Sequence, residues 1–135
     1  MTAAAPHNAL SVGRELSEQV MPGLEAALAK KYDRFLPGFS EWQIATVYGG
    51  PYARDGVSAK TRQIATVAAL TAMGAQTAPQ LKIHIKAALD AGWSAREISE
   101  IILQMALYGG FPAAINALNA AIEVFEAENT AEGDA

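Results

Sequence analysis

Alanine fills 29 of the 135 positions and is spread along the whole chain, cut at short intervals by Gly and Pro. Alanine loses no side-chain entropy in a helix and lets helix axes approach closely. Strands favour β-branched and aromatic side chains in alternation, and no segment shows that period of two. The expected fold is therefore all-α, a single domain of about six tightly packed helices.

Glycine and proline mark where those helices stop. An amphipathic stretch over residues 11–31 carries Leu16, Val20, Leu24, Ala27 and Leu28 at helical spacing, and Pro22-Gly23 breaks it. After the Leu36-Pro37-Gly38 turn, a short helix is predicted over 40–48, closed by Gly49-Gly50-Pro51. Ser58 caps a predicted helix over 58–73 with Ile64, Val67, Ala68 and Thr71 on one face. The next starts near Thr77, has Pro79 in its first turn, buries Leu81, Ile85, Ala88 and Leu89, and ends at Gly92. Ser94 and Glu97 have capping-box spacing for a helix reaching Tyr108. A last helix opens at Pro112 and runs to about Ala127, with Ile115, Leu118, Ile122 and Phe125 as its apolar stripe. The domain is expected over residues 11–128, between a flexible N-terminus (1–10) and a flexible acidic tail (129–135).

Several classes of function are excluded. Cysteine is absent, which removes disulfides, iron–sulfur clusters, thiolate zinc sites and thiol catalysis together. The net charge of −4 gives no electrostatic grip on nucleic acid or an anionic membrane. No apolar run is long enough for a membrane span, and residues 1–8 have no signal-peptide pattern, so a cytoplasmic location is expected. Phosphate loops, dinucleotide fingerprints, HExxH and GxSxG are all missing. With carboxylates around one histidine as the sole candidate ligands, no metal and no cofactor are expected.

The remaining polar residues suit proton transfer on a small acid. His84 lies at the edge of its helix's apolar face, where it reads as a general acid/base or as a core histidine with satisfied ring nitrogens. Glu97, Glu100, Gln104 and Tyr108 make a polar stripe that either lines a pocket or faces solvent. Arg54 and Arg62 could hold the carboxylates of an anionic substrate or serve solubility. Tyr48, taken alone, reads as a packing residue with its polar tip at the surface.

The ordered segments Tyr48-Gly49 … Arg54-Asp55-Gly56 and Lys60-Thr61-Arg62 resemble the start of carboxymuconolactone decarboxylases. The helix from Leu81 through His84 to Ala87-Ala88-Leu89, with Gly92 after it, is similar to that family's L-x-x-H-x-x-A-A-L-x-x-G pattern. Arg96-Glu97-Ile98 … Glu100, followed by Tyr108-Gly109-Gly110-Phe111-Pro112-Ala113-Ala114, resembles its E-E-I-x-E … A-x-Y-x-G-x-P-A-A signature. The resemblance covers about residues 40–127. It implies the alkylhydroperoxidase D-like helical bundle, assembled as a homotrimer or homohexamer. The redox branch of that superfamily has cysteines seven and four residues before the histidine, where this chain has Thr77 and Gln80. The resemblance therefore points to the cysteine-free, cofactor-independent branch, which converts 4-carboxymuconolactone to 3-oxoadipate enol-lactone in aromatic-compound catabolism. Its implied roles are carboxylate binding by Arg54 and Arg62 with Tyr48 beside the substrate, proton donation by His84, tuning of His84 by Glu100, and a hydrogen bond from Tyr108 to the lactone. A related proton-transfer enzyme and a non-catalytic helical oligomer are the alternatives.

Overall fold

The computed structural model describes residues 6–131, and every regular element among them is helical. The chain divides into two compact units, at Ala59/Lys60. Helix α1 (Pro6–Val20) begins before Ser11, because a proline in the first turn gives up no needed N–H and its fixed φ suits a helix start. The last helix likewise reaches Ala131. Residues 6–10 and 129–131 are thus helical, and the rest of both expected flexible ends lies outside the described residues.

In the first unit, α1 is followed by α2 (Leu24–Leu28), which one π-helical turn prolongs over Ala29–Asp33. The expected Pro22-Gly23 break separates the two. Helix α3 (Phe39–Gln43) is prolonged in the same way over Ile44–Tyr48, and a 3₁₀ turn follows at Pro51–Ala53. Asp33 fixes the start of α3: one carboxylate oxygen accepts from the Ser40 N–H at 2.9 Å and the other from its hydroxyl at 2.6 Å. Arg14 ties the helices on the outside, donating to both oxygens of Glu25 at 2.8–3.1 Å and to Glu41 at 2.9 Å.

Helix α1 meets the Ile44–Tyr48 turn backbone to backbone. A Cβ on Gly13 would overlap the Ile44 carbonyl, and one on Gly49 would overlap the Ala9 carbonyl. Ser17, one turn beyond Gly13 on the same face, is buried with Ile44 and Tyr48. The most buried positions of α1 are therefore Gly13 and Ser17, while Leu16 and Val20 of the expected stripe are half-buried.

The second unit contains α4 (Ala59–Met73), a 3₁₀ turn at Ala75–Thr77, α5 (Ala78–Asp90), α6 (Ala95–Gln104), α7 (Ala106–Gly109) and α8 (Phe111–Ala131). The expected capping box is present: the Glu97 N–H donates to Ser94 Oγ and the Ser94 N–H to Glu97, each at 3.0 Å. That hydrogen bonding holds the exposed Glu97 carboxyl below its ordinary range. Val67, Leu81, Ile85 and Ala88, as the stripes of α4 and α5 predict, form the core with Ile98 and Ile102 of α6 and three alanines of α8.

The stripe of α8 is the exception. Its buried positions are Ala114, Ala117, Ala120 and Ala121, whereas Ile115 and Ile122 are about half exposed (52% and 48%). Small side chains bring α8 close to the core, and the branched residues are left outside. Leu103, Leu107, Tyr108 and Phe111, on α6, α7 and the start of α8, are exposed as well. No helix among the described residues is long and apolar enough to cross a membrane.

The backbone contact at Gly13 predicts a steep cost for any side chain. Gly13→Ala should destabilise by about 1–3 kcal/mol in urea unfolding, the range for an overpacked core. Gly56, where an added Cβ meets nothing within 4 Å, is the control; Gly56→Ala should stay within about 0.5 kcal/mol of the parent chain.

Candidate functional site

Helix α5 presents Leu81, Ile85 and Ala88 to the core, and His84 sits beside that row, half-buried. On α4 the buried face carries Val67 and, one turn earlier, Gln63, which is only 1% exposed. The two polar side chains meet: His84 Nδ1 lies 2.9 Å from Gln63 Oε1. An amide oxygen can only accept, so this pairing places the imidazole proton on Nδ1 and leaves a lone pair on Nε2.

Burial alone lowers the His84 pKa, from 6.5 to about 4. A neutral amide partner adds no charge to oppose that effect, so the imidazole is neutral at pH 7. The amide itself is half satisfied. Gln63 Nε2 is buried with no hydrogen-bond acceptor among the described residues, and an unmade bond of this kind costs about 1–3 kcal/mol.

The other expected site residues are distributed as follows. Arg62, next to Gln63 on α4, is half-buried. Glu100 is exposed on α6, and its carboxylate accepts from Arg96 Nε at 3.1 Å. The group bonded to His84 is thus Gln63, and Glu100 belongs to an exposed i,i+4 ion pair. Tyr108, on α7, is 75% exposed. Gly109 after it allows α7 to lie against α4, since a Cβ there would come within 2.7 Å of the Ala72 carbonyl oxygen. Thr77 is buried, and its hydroxyl lies within hydrogen-bond distance of the carbonyls of Leu70 (2.6 Å) and Gly74 (2.9 Å).

Tyr48 and Arg54 belong to the first unit. Tyr48 is 3% exposed, its hydroxyl faces Met21 Sδ at 3.3 Å, and its ring lies 5.1 Å from that of Tyr52. Burial and the neighbouring phenol push its pKa up to about 12, so it stays a neutral packing residue at any ordinary pH. Arg54 is exposed and lines a cavity of about 440 Å³ together with Ala9, Ala45, Thr46, Gly49, Gly50 and Pro51. Among the described residues no three His, Asp or Glu side chains come together to hold a metal ion.

Gln63 is the residue that the sequence did not announce. A glutamine between Arg62 and Ile64 on an alanine-rich helix reads as a solvated position. Its one signal is register, because it lies four residues before the core residue Val67 and so shares its face.

The lowered His84 pKa has a consequence for folding. Protonation favours the unfolded chain, so stability is unaffected above the ordinary value of 6.5 and declines as pH falls from 6.5 toward about 4. Between pH 7 and pH 4.5 the parent chain should lose about 2 kcal/mol more than His84→Gln in urea unfolding. Equal losses would mean that the fold does not hold this imidazole neutral.

Comparison with known proteins agrees with this architecture. The model of the carboxymuconolactone decarboxylase family matches residues 40–123. An uncharacterized 15.0 kDa protein in the nqo9-nqo10 intergenic region of Paracoccus denitrificans is 35% identical over 120 residues, 89% of this chain and 90% of its own length. A 4-carboxymuconolactone decarboxylase of Acinetobacter baylyi is 35% identical over 79 residues, which is 58% of each chain. The matched span includes Arg54, Arg62, Gln63, His84, Glu100 and Tyr108, and the chain belongs to the carboxymuconolactone decarboxylase family.

Proposed function

We propose that this chain is a cofactor-independent decarboxylase of a lactone carboxylic acid, acting on 4-carboxymuconolactone or a close analogue to give 3-oxoadipate enol-lactone. Family membership supports the reaction class, and the observation that carries the site is the neutral, half-buried His84 with a free lone pair on Nε2. A cytoplasmic location and a place in aromatic-acid catabolism go with this reading. So does assembly into a homotrimer or homohexamer, in which a second copy would cover the exposed side chains of Leu107, Tyr108 and Phe111.

The chemistry asks little of the protein. Heterolysis of the bond to CO₂ leaves an electron pair on the ring carbon, conjugated through the double bond to the lactone carbonyl. One proton must then reach carbon, so each turnover takes one proton from water. His84 is the group to carry it: Nε2 accepts a proton and passes it to the dienolate. In the free chain the imidazole is neutral, so it must be charged first. A bound carboxylate favours imidazolium, which couples proton uptake to substrate binding. Arg62 and Arg54 are the expected carboxylate ligands, since a guanidinium pairs with a carboxylate through two parallel hydrogen bonds. Tyr108 is the expected hydrogen-bond donor to the lactone.

The test is an ultraviolet assay of enzymatically generated 4-carboxymuconolactone. His84→Ala should lower kcat by at least about tenfold, or 1.4 kcal/mol; a smaller loss removes His84 from the mechanism. Arg62→Ala should act mainly by raising KM. Calorimetric binding of a non-reacting dicarboxylate in two buffers of different ionisation enthalpy should show proton uptake at pH 6–7 in the parent chain and none in His84→Gln.

A further inference from the structure

The pairing of His84 with Gln63 contains an imbalance. One end of the Gln63 amide is bonded, at 2.9 Å to Nδ1, and the other end is a buried N–H₂ group with no acceptor among the described residues. A buried donor without an acceptor is rarer in folded proteins than an under-used carbonyl. The opposite orientation of the amide would pair one N–H with Nδ1 and leave the oxygen and the second N–H unused. The observed orientation is favourable when something else accepts from Nε2.

We propose that Gln63 is the positioning residue of this site, with its carbonyl holding the His84 proton on Nδ1 and its unpaired N–H₂ group donating to an oxygen of the bound acid. The atom of His84 that exchanges a proton with the ligand is then Nε2. Ligand binding reinforces the tautomer that the free chain already holds, because a ligand oxygen on Gln63 Nε2 stabilises the amide orientation that keeps the imidazole proton on Nδ1. The nature of that acid rests on the decarboxylase reading; the tautomer does not.

The electrostatic surroundings suit a neutral partner. The charged residues nearest in sequence on the two helices are Arg62 on α4 and Lys82 and Lys86 on α5. The lysines are held by carboxylates, with Lys82 2.7 Å from Glu123 and Lys86 3.2 Å from both Asp90 and Glu128. Burial is the one resolved influence on the imidazole. A carboxylate in place of the amide would still accept from Nδ1–H, yet it would charge the ring and remove both donors.

The chain has two histidines, so ¹⁵N spectra of the parent protein and of His7→Asn assign His84 directly. At pH 7 the parent should show a protonated Nδ1 and an unprotonated Nε2; a protonated Nε2 would overturn the proposal without touching the decarboxylase reading. Gln63→Leu should lose the tautomer preference, and an unchanged preference counts against positioning. Gln63→Glu should keep Nδ1 protonated and raise the titration midpoint by about one unit or more. It should also weaken binding of a non-reacting dicarboxylate at least tenfold, because the amide donors are gone. Unchanged affinity in Gln63→Glu would overturn the ligand contact. If the spectra behave as expected while no lactone is turned over, the positioning role stands and the proposed substrate falls.

Discussion

Small side chains at the helix contacts set how closely the backbones approach, and the remaining structure in each unit follows from that distance. In the first unit Gly13 and Gly49 let α1 touch the Ile44–Tyr48 turn through main-chain atoms. In the second, Ala117, Ala120 and Ala121 bring α8 onto a core made by α4, α5 and α6. Close approach gains dispersion contacts along whole helix faces. It also gives the closest contact positions of α8 to alanine, and Ile115 and Ile122 lie on its outside.

A core built this tightly makes an unsatisfied polar group conspicuous. Gln63 stands one turn from Val67 and is as buried as its apolar neighbours. An amide at such a place is favourable only if its hydrogen bonds are made, and the one at its carbonyl is made to His84. The low dielectric that penalises Gln63 Nε2 also holds the imidazole neutral. One feature of packing thereby sets both the protonation state and the polarity of the group expected to handle the proton.

The fold was largely legible because its signals are local. Pro22-Gly23, Gly74, Gly92 and the Ser94/Glu97 capping box act within a few residues, and all coincide with helix ends. The reading of α8 held at Leu118 and Phe125, which pack against the core, and failed at Ile115 and Ile122 for a reason that is not local. Periodicity ranks Ile115 and Ile122 above alanine as core residues, while the actual choice depends on how near the opposing helices lie. The site divides in the same way. His84 could be singled out by type, and its position beside the apolar stripe agreed with the structure. Its partner could not, since Glu100 is the more chemically suggestive residue and only the crossing of α4 and α5 brings Gln63 to Nδ1. Glu100 lies four residues from Arg96 on an exposed face, and a carboxylate there pairs with its own helix.

That crossing is held by a residue with no chemistry of its own. Thr77 occupies a position where the redox branch of the resembled superfamily carries a thiol. Its hydroxyl bonds to the Leu70 and Gly74 carbonyls, so the start of α5 is tied to the end of α4. A helix hairpin joined by so short a turn has little freedom to slide, and the register of the two helices decides which α4 side chain reaches His84. With Thr77 buried and both carbonyls within 3 Å of its hydroxyl, the turn between α4 and α5 is tied down at its start. The same position that could host redox chemistry in a cysteine-bearing chain here serves to align an amide with an imidazole.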